Sequence, residues 1–337
     1  MEEFAAGGAW PGAIAVSGGG DSMALMHLLA RWAKKTKKTA PLVLVVDHGL
    51  RPEAAKEARG VVKAAKALGL EANWLRWKDA PPNGIEAAAR QARYRLMGAA
   101  LRRKKRTTLY VGHTEDDQAE TFLLRLARGS GIDGLSAMRK LAPYPEGGFD
   151  DLMVARPLLG FSRTELRAWL KTRKLGWLED PMNEDPRFDR VKMRRLAPAL
   201  AEVGLTPSRI ALAAAHLASG SDLLKGQAML LQQRVSRKVP GGLLVDQDQL
   251  GGAPRELGLR VLAALLQAVS GAPYRPRFEP LERLFDTLVN ATLGAGATLG
   301  GCRIAPAPAK ERVFGPLTLK ITPESLRKGS VHPGVKG

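Results

Sequence analysis

Ser17-Gly18-Gly19-Gly20-Asp21-Ser22 follows the apolar run Ala13-Ile14-Ala15-Val16 and precedes Met23-Ala24-Leu25-Met26-His27-Leu28-Leu29. A short strand, a turn of three glycines and the start of a helix form a cradle for phosphate. Glycines carry no Cβ, so backbone N–H groups can close on an anion. The helix N-terminus adds about half a positive charge, and the Ser17 and Ser22 hydroxyls add donors. Asp21 is the odd member, because a carboxylate beside phosphates repels them unless Mg²⁺ lies between. The loop therefore reads as a nucleotide site with its metal, against the plainer reading of a glycine turn with a helix cap. It lacks the Gly-Lys-[Ser/Thr] of a P-loop and the spaced glycines of a dinucleotide fingerprint.

Outward from this loop, strand-like and helix-like runs alternate. Leu42 to Val46 is a continuous apolar strand ending on Asp47-His48-Gly49, and a helix is expected over Glu53–Leu68. Glu71–Trp77 reads as a strand, Gly84–Arg106 as a long helix, Thr107–Val111 as a strand, and Glu115–Ala127 as a helix. Repeated β-α units predict an α/β fold with a doubly wound parallel sheet, whose ligands bind beyond the strands' carboxyl ends. Ser17–Ser22, Asp47-His48 and Gly112-His113-Thr114 all fall there.

Gly129–Gly134 and Pro143–Asp151 are rich in breakers and read as a loop or lid. Helices are expected at Arg163–Lys174, Asp189–Ala201, Pro207–Arg234, Glu256–Val269 and Glu279–Asn290. Leu243–Val245, Ala297–Ile304, Arg312–Phe314 and Leu317–Ile321 read as strand fragments, and Lys328–Gly337 as a loose tail. Three regions follow: 1–150, a nucleotide-binding domain; 151–206, a helical connecting region; and 207–337, a small α+β domain.

The chain has 337 residues, with 52 Lys plus Arg against 33 Asp plus Glu, a formal charge of +19. That excess favours a polyanionic partner such as RNA over a merely solvated surface. The sequence contains no apolar run long enough for a membrane span and has no signal-peptide pattern at Met1-Glu2-Glu3-Phe4. The single cysteine, Cys302, excludes an intrachain disulfide and a Cys-rich zinc site. A cytoplasmic protein is expected.

His113-Thr114-Glu115-Asp116-Asp117-Gln118-Ala119-Glu120-Thr121 is dense in ionisable groups, and on a helix Asp117, Glu120 and Thr121 share one face. His113 and Asp117 are candidates for a base or metal site, whereas Glu115 and Asp116 serve equally as cap residues. Asp47 could meet ribose or Mg²⁺, and His48 could donate to phosphate or a base; the alternative is a polar strand exit bonded to its own loop. Glu86, Arg90 and Arg93 share a helix face suited to phosphate or to surface ion pairs. Arg102-Arg103-Lys104-Lys105-Arg106 and Lys34–Lys38 read as solvated basic surface. Glu179-Asp180-Pro181, then Arg187, Arg190, Lys192, Arg194 and Arg195, with Trp177 and Phe188, suit single-stranded RNA. Trp169 reads as core.

The Ser17–Ser22 segment resembles the PP-loop of ATP pyrophosphatases. With Val46-Asp47-His48-Gly49-Leu50-Arg51, Glu86…Arg90…Arg93-Tyr94, His113–Thr121, Leu123–Gly131, Gly134-Leu135, Arg156-Pro157-Leu158-Leu159 and Glu179-Asp180-Pro181…Asn183, it resembles the tRNA(Ile)-lysidine synthetase family over about the first two-thirds of the chain. The chain departs from the family pattern at Met182 and Val191.

The resemblance implies ATP-dependent adenylation of the wobble cytidine's C2 oxygen in isoleucine tRNA with anticodon CAU. Displacement of AMP by the ε-amine of free L-lysine then follows. On this analogy Ser17, Gly18, Gly19, Gly20, Asp21 and Ser22 hold ATP, Asp21 and Asp117 serve Mg²⁺ or proton transfer, and His113 supports adenylation. Arg93 and Arg194, or Arg195 in place of Arg194, neutralise phosphate, and the C-terminal region grips the tRNA body of a monomer or homodimer. A tRNA thiolase, a glutamine-dependent ligase and a non-catalytic nucleotide-regulated RNA-binding protein remain as alternatives. The first two are disfavoured by the lone cysteine.

Overall fold

The computed structural model describes residues 1–49, 53–77, 85–179, 189–272 and 274–324; Leu50, Arg51, Gly84, Asp180, Pro181, Met182, Asn183, Arg187, Phe188 and 328–337 lie outside them, as does the Glu86 side chain. The chain divides into two compact units, Met1–Ala218 and Ser219–Gly337.

The first unit opens with α1 (Glu2–Ala6) and then alternates: β1 (Ala13–Ala15), α2 (Gly20–Lys35), β2 (Leu42–Asp47), α3 (Ala54–Ala67), β3 (Ala72–Arg76), α4 (Ile85–Arg103), β4 (Thr108–Tyr110) and α5 (Glu115–Leu126). After the short α6 (Ile132–Leu135) come β5 (Leu141–Pro143), β6 (Met153–Ala155), α7 (Arg163–Thr172), α8 (Asp189–Glu202) and α9 (Pro207–Val235), which runs across the division between units. The sheet order is β3-β2-β1-β4-β6-β5, parallel throughout except for β5. The doubly wound sheet is thus as expected. The breaker-rich stretch after Gly129 differs in detail: it holds α6, and 144–152 joins the edge strand β5 to its antiparallel neighbour β6.

Strand alternation divides the core. Ile14, Val43 and Val45 pack with Met26 of α2, Val61 of α3 and Leu170 of α7 on one face. Ala13, Leu42 and Leu44 pack with Met97 and Leu101 of α4 on the other. Because both faces are covered, β2 carries no polar residue until Asp47. The order reverses direction between β1 and β4, which puts the residues after those two strands on either side of the ligand-binding crevice of such sheets. Gly112 keeps the crevice narrow: a Cβ there would lie 3.0 Å from the backbone carbonyl of Asp21.

The second unit holds β7 (Ser236–Val239), β8 (Gly242–Asp246), α10 (Gln247–Gly251), α11 (Arg255–Ser270), α12 (Phe278–Val289), β9 (Ala297–Leu299), β10 (Cys302–Pro306) and β11 (Thr318–Pro323). Its antiparallel sheet, ordered β7-β8-β11-β10-β9, packs on α11 and α12 through Val245, Leu262, Leu266, Phe285 and Ile304. The expected strand at Ala297–Ile304 is two strands, turned at Gly300 and Gly301 with φ of +60° and +73°. Arg312–Phe314 is not a strand; it follows a 3₁₀ turn at Ala309–Glu311. Among the described residues, no helix is long and apolar enough to cross a membrane.

Candidate active site

The glycine turn stands where β1 ends. Gly19 is extended and caps α2, which begins at Gly20, so the first N–H groups of that helix face the crevice mouth. Ser22 Oγ donates to the carbonyl of Gly19 at 2.9 Å and lies 3.2 Å from Ser17 Oγ, bracing the turn from within. Gly18 has φ +98°, and a Cβ there would meet Leu178 Cδ1 at 2.7 Å. Leu178 is that close because its N–H donates to the carbonyl of Gly18 at 2.9 Å. The connecting region is therefore stitched directly to the turn. Trp177 packs at the edge of the core and donates from Nε1 to Glu179 at 2.8 Å, while Arg167 donates to Glu179 at 3.3 Å. Trp169 also joins the core edge, with Arg173 stacked 4.5 Å from its ring centre.

Beside the turn lies a cluster of charged side chains drawn from α2, α5, α7 and α8. Thr114 caps α5: its N–H and Oγ1 donate to Asp117 Oδ2 at 2.8 and 3.0 Å, forming a capping box. The other oxygen, Asp117 Oδ1, accepts from Arg163 Nη2 at 2.5 Å. Arg163 Nη1 donates to Glu120 Oε1 at 2.9 Å and Nε to Asp21 Oδ2 at 3.2 Å. Its backbone N–H donates to Asp116 Oδ2 at 2.8 Å. Arg194 Nε donates to Glu120 Oε1 at 2.7 Å. One guanidinium thus joins carboxylates of α2 and α5 from the first turn of α7, and the side chains are largely buried. Arg163 was absent from the expected site. Its only sequence signal is the Ser162…Glu165 box that starts α7, which looks like capping and nothing more.

Asp117 resists protonation: burial penalises its charge, but Arg163, His113 and the Thr114 bonds outweigh that and hold it below the usual carboxylate range. Asp21 goes the other way, since burial raises its pKa and Arg163 offsets this only partly. Its second oxygen, Oδ1, is buried with no hydrogen-bond partner. Among the described residues, no group of three or more His, Cys, Asp or Glu gathers as a full metal cage. Two hard-oxygen carboxylates beside a phosphate cradle nevertheless suit Mg²⁺, which takes one or two protein carboxylates and completes its shell with phosphate and water.

The expected residues fall into three groups. Ser17–Ser22, Asp117 and Arg194 converge on the cluster just described. Asp47 and His48 stand at the end of β2: Asp47 Oδ1 accepts from the N–H of Gly49 at 2.9 Å, and His48 Nε2 accepts from Arg93 Nε at 3.4 Å. Burial and the Arg93 charge lower the His48 pKa. His113, past β4, accepts at Nδ1 from Arg156 Nε at 3.1 Å. Glu115 is held by Ser208 Oγ at 2.9 Å. In the basic run, Arg102 pairs with Asp151 and Lys104 with Glu71.

Burial lowers the His113 pKa to about 4; Asp117 opposes this shift, and Arg156, Arg190 and Arg90 reinforce it. The unfolded chain, with histidine near 6.5, binds a proton that the folded chain refuses. This contribution to stability is present above about pH 6.5 and lost as pH falls toward 4. His113→Gln should therefore lose less stability than the parent between about pH 7 and 4.5, read from urea midpoints. Equal losses would mean that His113 is charged in the folded state.

A nucleotide cradle at the switch point of a doubly wound sheet, with an aspartate in its helix turn, defines a PP-loop protein, and the PP-loop domain description matches residues 9–200. The tRNA(Ile)-lysidine synthase of Bradyrhizobium diazoefficiens is 39% identical over 331 residues, 89% of this chain and 90% of that protein. That of Wolbachia pipientis wMel is 38% identical over 295 residues, 87% of this chain and 67% of that protein. The chain belongs to the tRNA(Ile)-lysidine synthase family. Among solved structures, the U34-tRNA thiolase NcsA from Methanococcus maripaludis, with its [4Fe-4S] cluster, shares the fold. It is 17% identical with a TM-score of 0.50, covering 61% of this chain and 71% of that one.

Proposed function

We propose that this enzyme joins lysine to C2 of the wobble cytidine of isoleucine tRNA with anticodon CAU, through an adenylated cytidine. The observation that carries the reading is the glycine turn at the sheet's switch point beside the half-buried carboxylate of Asp21, whose Oδ1 has no hydrogen-bond partner. Membership of the tRNA(Ile)-lysidine synthase family supports the tRNA substrate.

In this reading the triphosphate lies over Gly18–Gly20 and the N-terminus of α2, with Ser17 and Ser22 at its edge. The C2 oxygen of cytidine attacks the α-phosphorus, and pyrophosphate leaves. The neutral ε-amine of lysine then adds at C2, loses a proton, and AMP departs with the former C2 oxygen. Asp21 and Asp117 would hold Mg²⁺, which would offset the charge of the phosphates. Arg93 and Arg194 would neutralise phosphate, Asp47 and His48 would border the nucleotide, and the +19 charge would draw the tRNA. Residues 1–150 would carry the nucleotide chemistry, 151–206 would complete the site, and 207–337 would grip the tRNA body, in the cytoplasm. Thiolation fits less well: Cys302, the single cysteine, is buried in the second unit and donates to the carbonyl of Leu266.

Purified protein with ATP·Mg²⁺, labelled lysine and tRNA transcripts differing only at the wobble base tests this. Label should enter the CAU transcript with AMP release. Pyrophosphate release without lysine transfer, or transfer that ignores the cytidine, would refute it.

A further inference from the structure

His113 has one ring nitrogen already engaged. Arg156 directly follows β6 and His113 lies just past β4; the parallel pairing Tyr110↔Ala155 delivers them to the same sheet edge. Arg156 Nε donates to His113 Nδ1 at 3.1 Å, and Arg156 Nη1 donates to the carbonyl of Arg139 at 2.9 Å. The guanidinium is therefore held at two points. A guanidinium always donates and never accepts, because it does not deprotonate in proteins. Nδ1 must present its lone pair, and the single ring proton sits on Nε2.

We propose that Arg156 is a positioning residue that locks His113 in the neutral Nε2–H tautomer, so that His113 serves adenylation as a hydrogen-bond donor to oxygen and not as a proton acceptor. The donor role rests on the adenylation reading above; the lock does not. With Nδ1 covered by Arg156, only Nε2–H remains to meet a ligand, and a neutral donor stabilises charge developing on a phosphate oxygen without first exchanging a proton. A neutral imidazole acting as electrophile is an established use of histidine in other enzymes. The proton lost by the lysine amine must then go to a group other than His113.

The lock is read by two-bond ¹H–¹⁵N spectra of the full chain labelled at its five histidines, near neutral pH, with His113 assigned by its disappearance in His113→Gln. An Nε2–H pattern is expected in the parent, relaxing toward a tautomer mixture in Arg156→Met. An Nδ1–H or doubly protonated His113 in the parent would overturn the lock, as would an unchanged pattern in Arg156→Met. If that variant does not fold, the parent spectrum alone decides. The donor role is read by pyrophosphate release, since glutamine puts an amide N–H where Nε2–H stood. His113→Gln should retain roughly tenfold or more of the rate left in His113→Ala. Equal loss in the two variants would mark His113 as a base. The spectra need no turnover, so loss of the adenylation reading leaves the tautomer result standing, and the reverse holds too.

Discussion

Asp21→Ala is expected to lower the adenylation rate by roughly three orders of magnitude, the scale of losing a preorganised electrostatic group at a reacting centre. Affinity for tRNA should stay within about twofold, because that affinity is spread over many phosphate contacts. Stability should separate this loss from misfolding. The Asp21 carboxyl has a raised pKa, so its charge costs the ligand-free fold stability at neutral pH. Asp21→Asn removes that charge while keeping the shape, and should melt no lower than the parent while remaining equally inactive. Pyrophosphate release, filter binding of tRNA and thermal melting make the three measurements. If tRNA affinity falls in step with adenylation, Asp21 does not belong to the nucleotide.

Arg163→Ala should cost about 3–5 kcal/mol of folding stability, the usual result of stranding buried charges by deleting their partner. Glu120 would then keep its pair with Arg194, while Asp21 and Asp117 would lose the guanidinium that bonds them. Arg163→Lys should recover only part of the loss, since one ammonium cannot reproduce a three-way fork. The diagnostic variant is the double change Arg163→Ala with Glu120→Gln. Removing one stranded charge should restore part of the stability, giving a coupling above about 1 kcal/mol in a double-mutant cycle. Urea unfolding gives all four corners. Additive losses would mean that Arg163 contributes by packing alone.

The cradle and its sheet were legible because they are local. Three glycines between an apolar run and a helical run leave few alternatives, and β2, covered on both faces, is a continuous apolar string. The charge cluster was legible by halves. Asp117 and Glu120 announce themselves through helical spacing, but Arg163 lies 43 residues beyond Glu120, and no periodicity links the two segments. Only the folded chain brings α7 against α2 and α5. Arg156 was hidden for the same reason: its role comes from β6 lying beside β4. In the second unit, β7 escaped because Ser236-Arg237-Lys238-Val239 is an edge strand with two charged, exposed members, and edges carry little apolar signal. The hairpin at Gly300-Gly301 looks like one strand in the sequence because a two-residue turn hardly interrupts the pattern on either side.

The bond from Leu178 to the carbonyl of Gly18, together with the reach of Arg163, has a practical consequence for protein engineering. The sheet cannot be excised as a minimal nucleotide module. A graft ending near residue 150 would leave Gly18 bare and three acidic side chains without their counter-ion. Any chimera built on this scaffold has to carry the polypeptide through at least Arg194 as one transplanted piece.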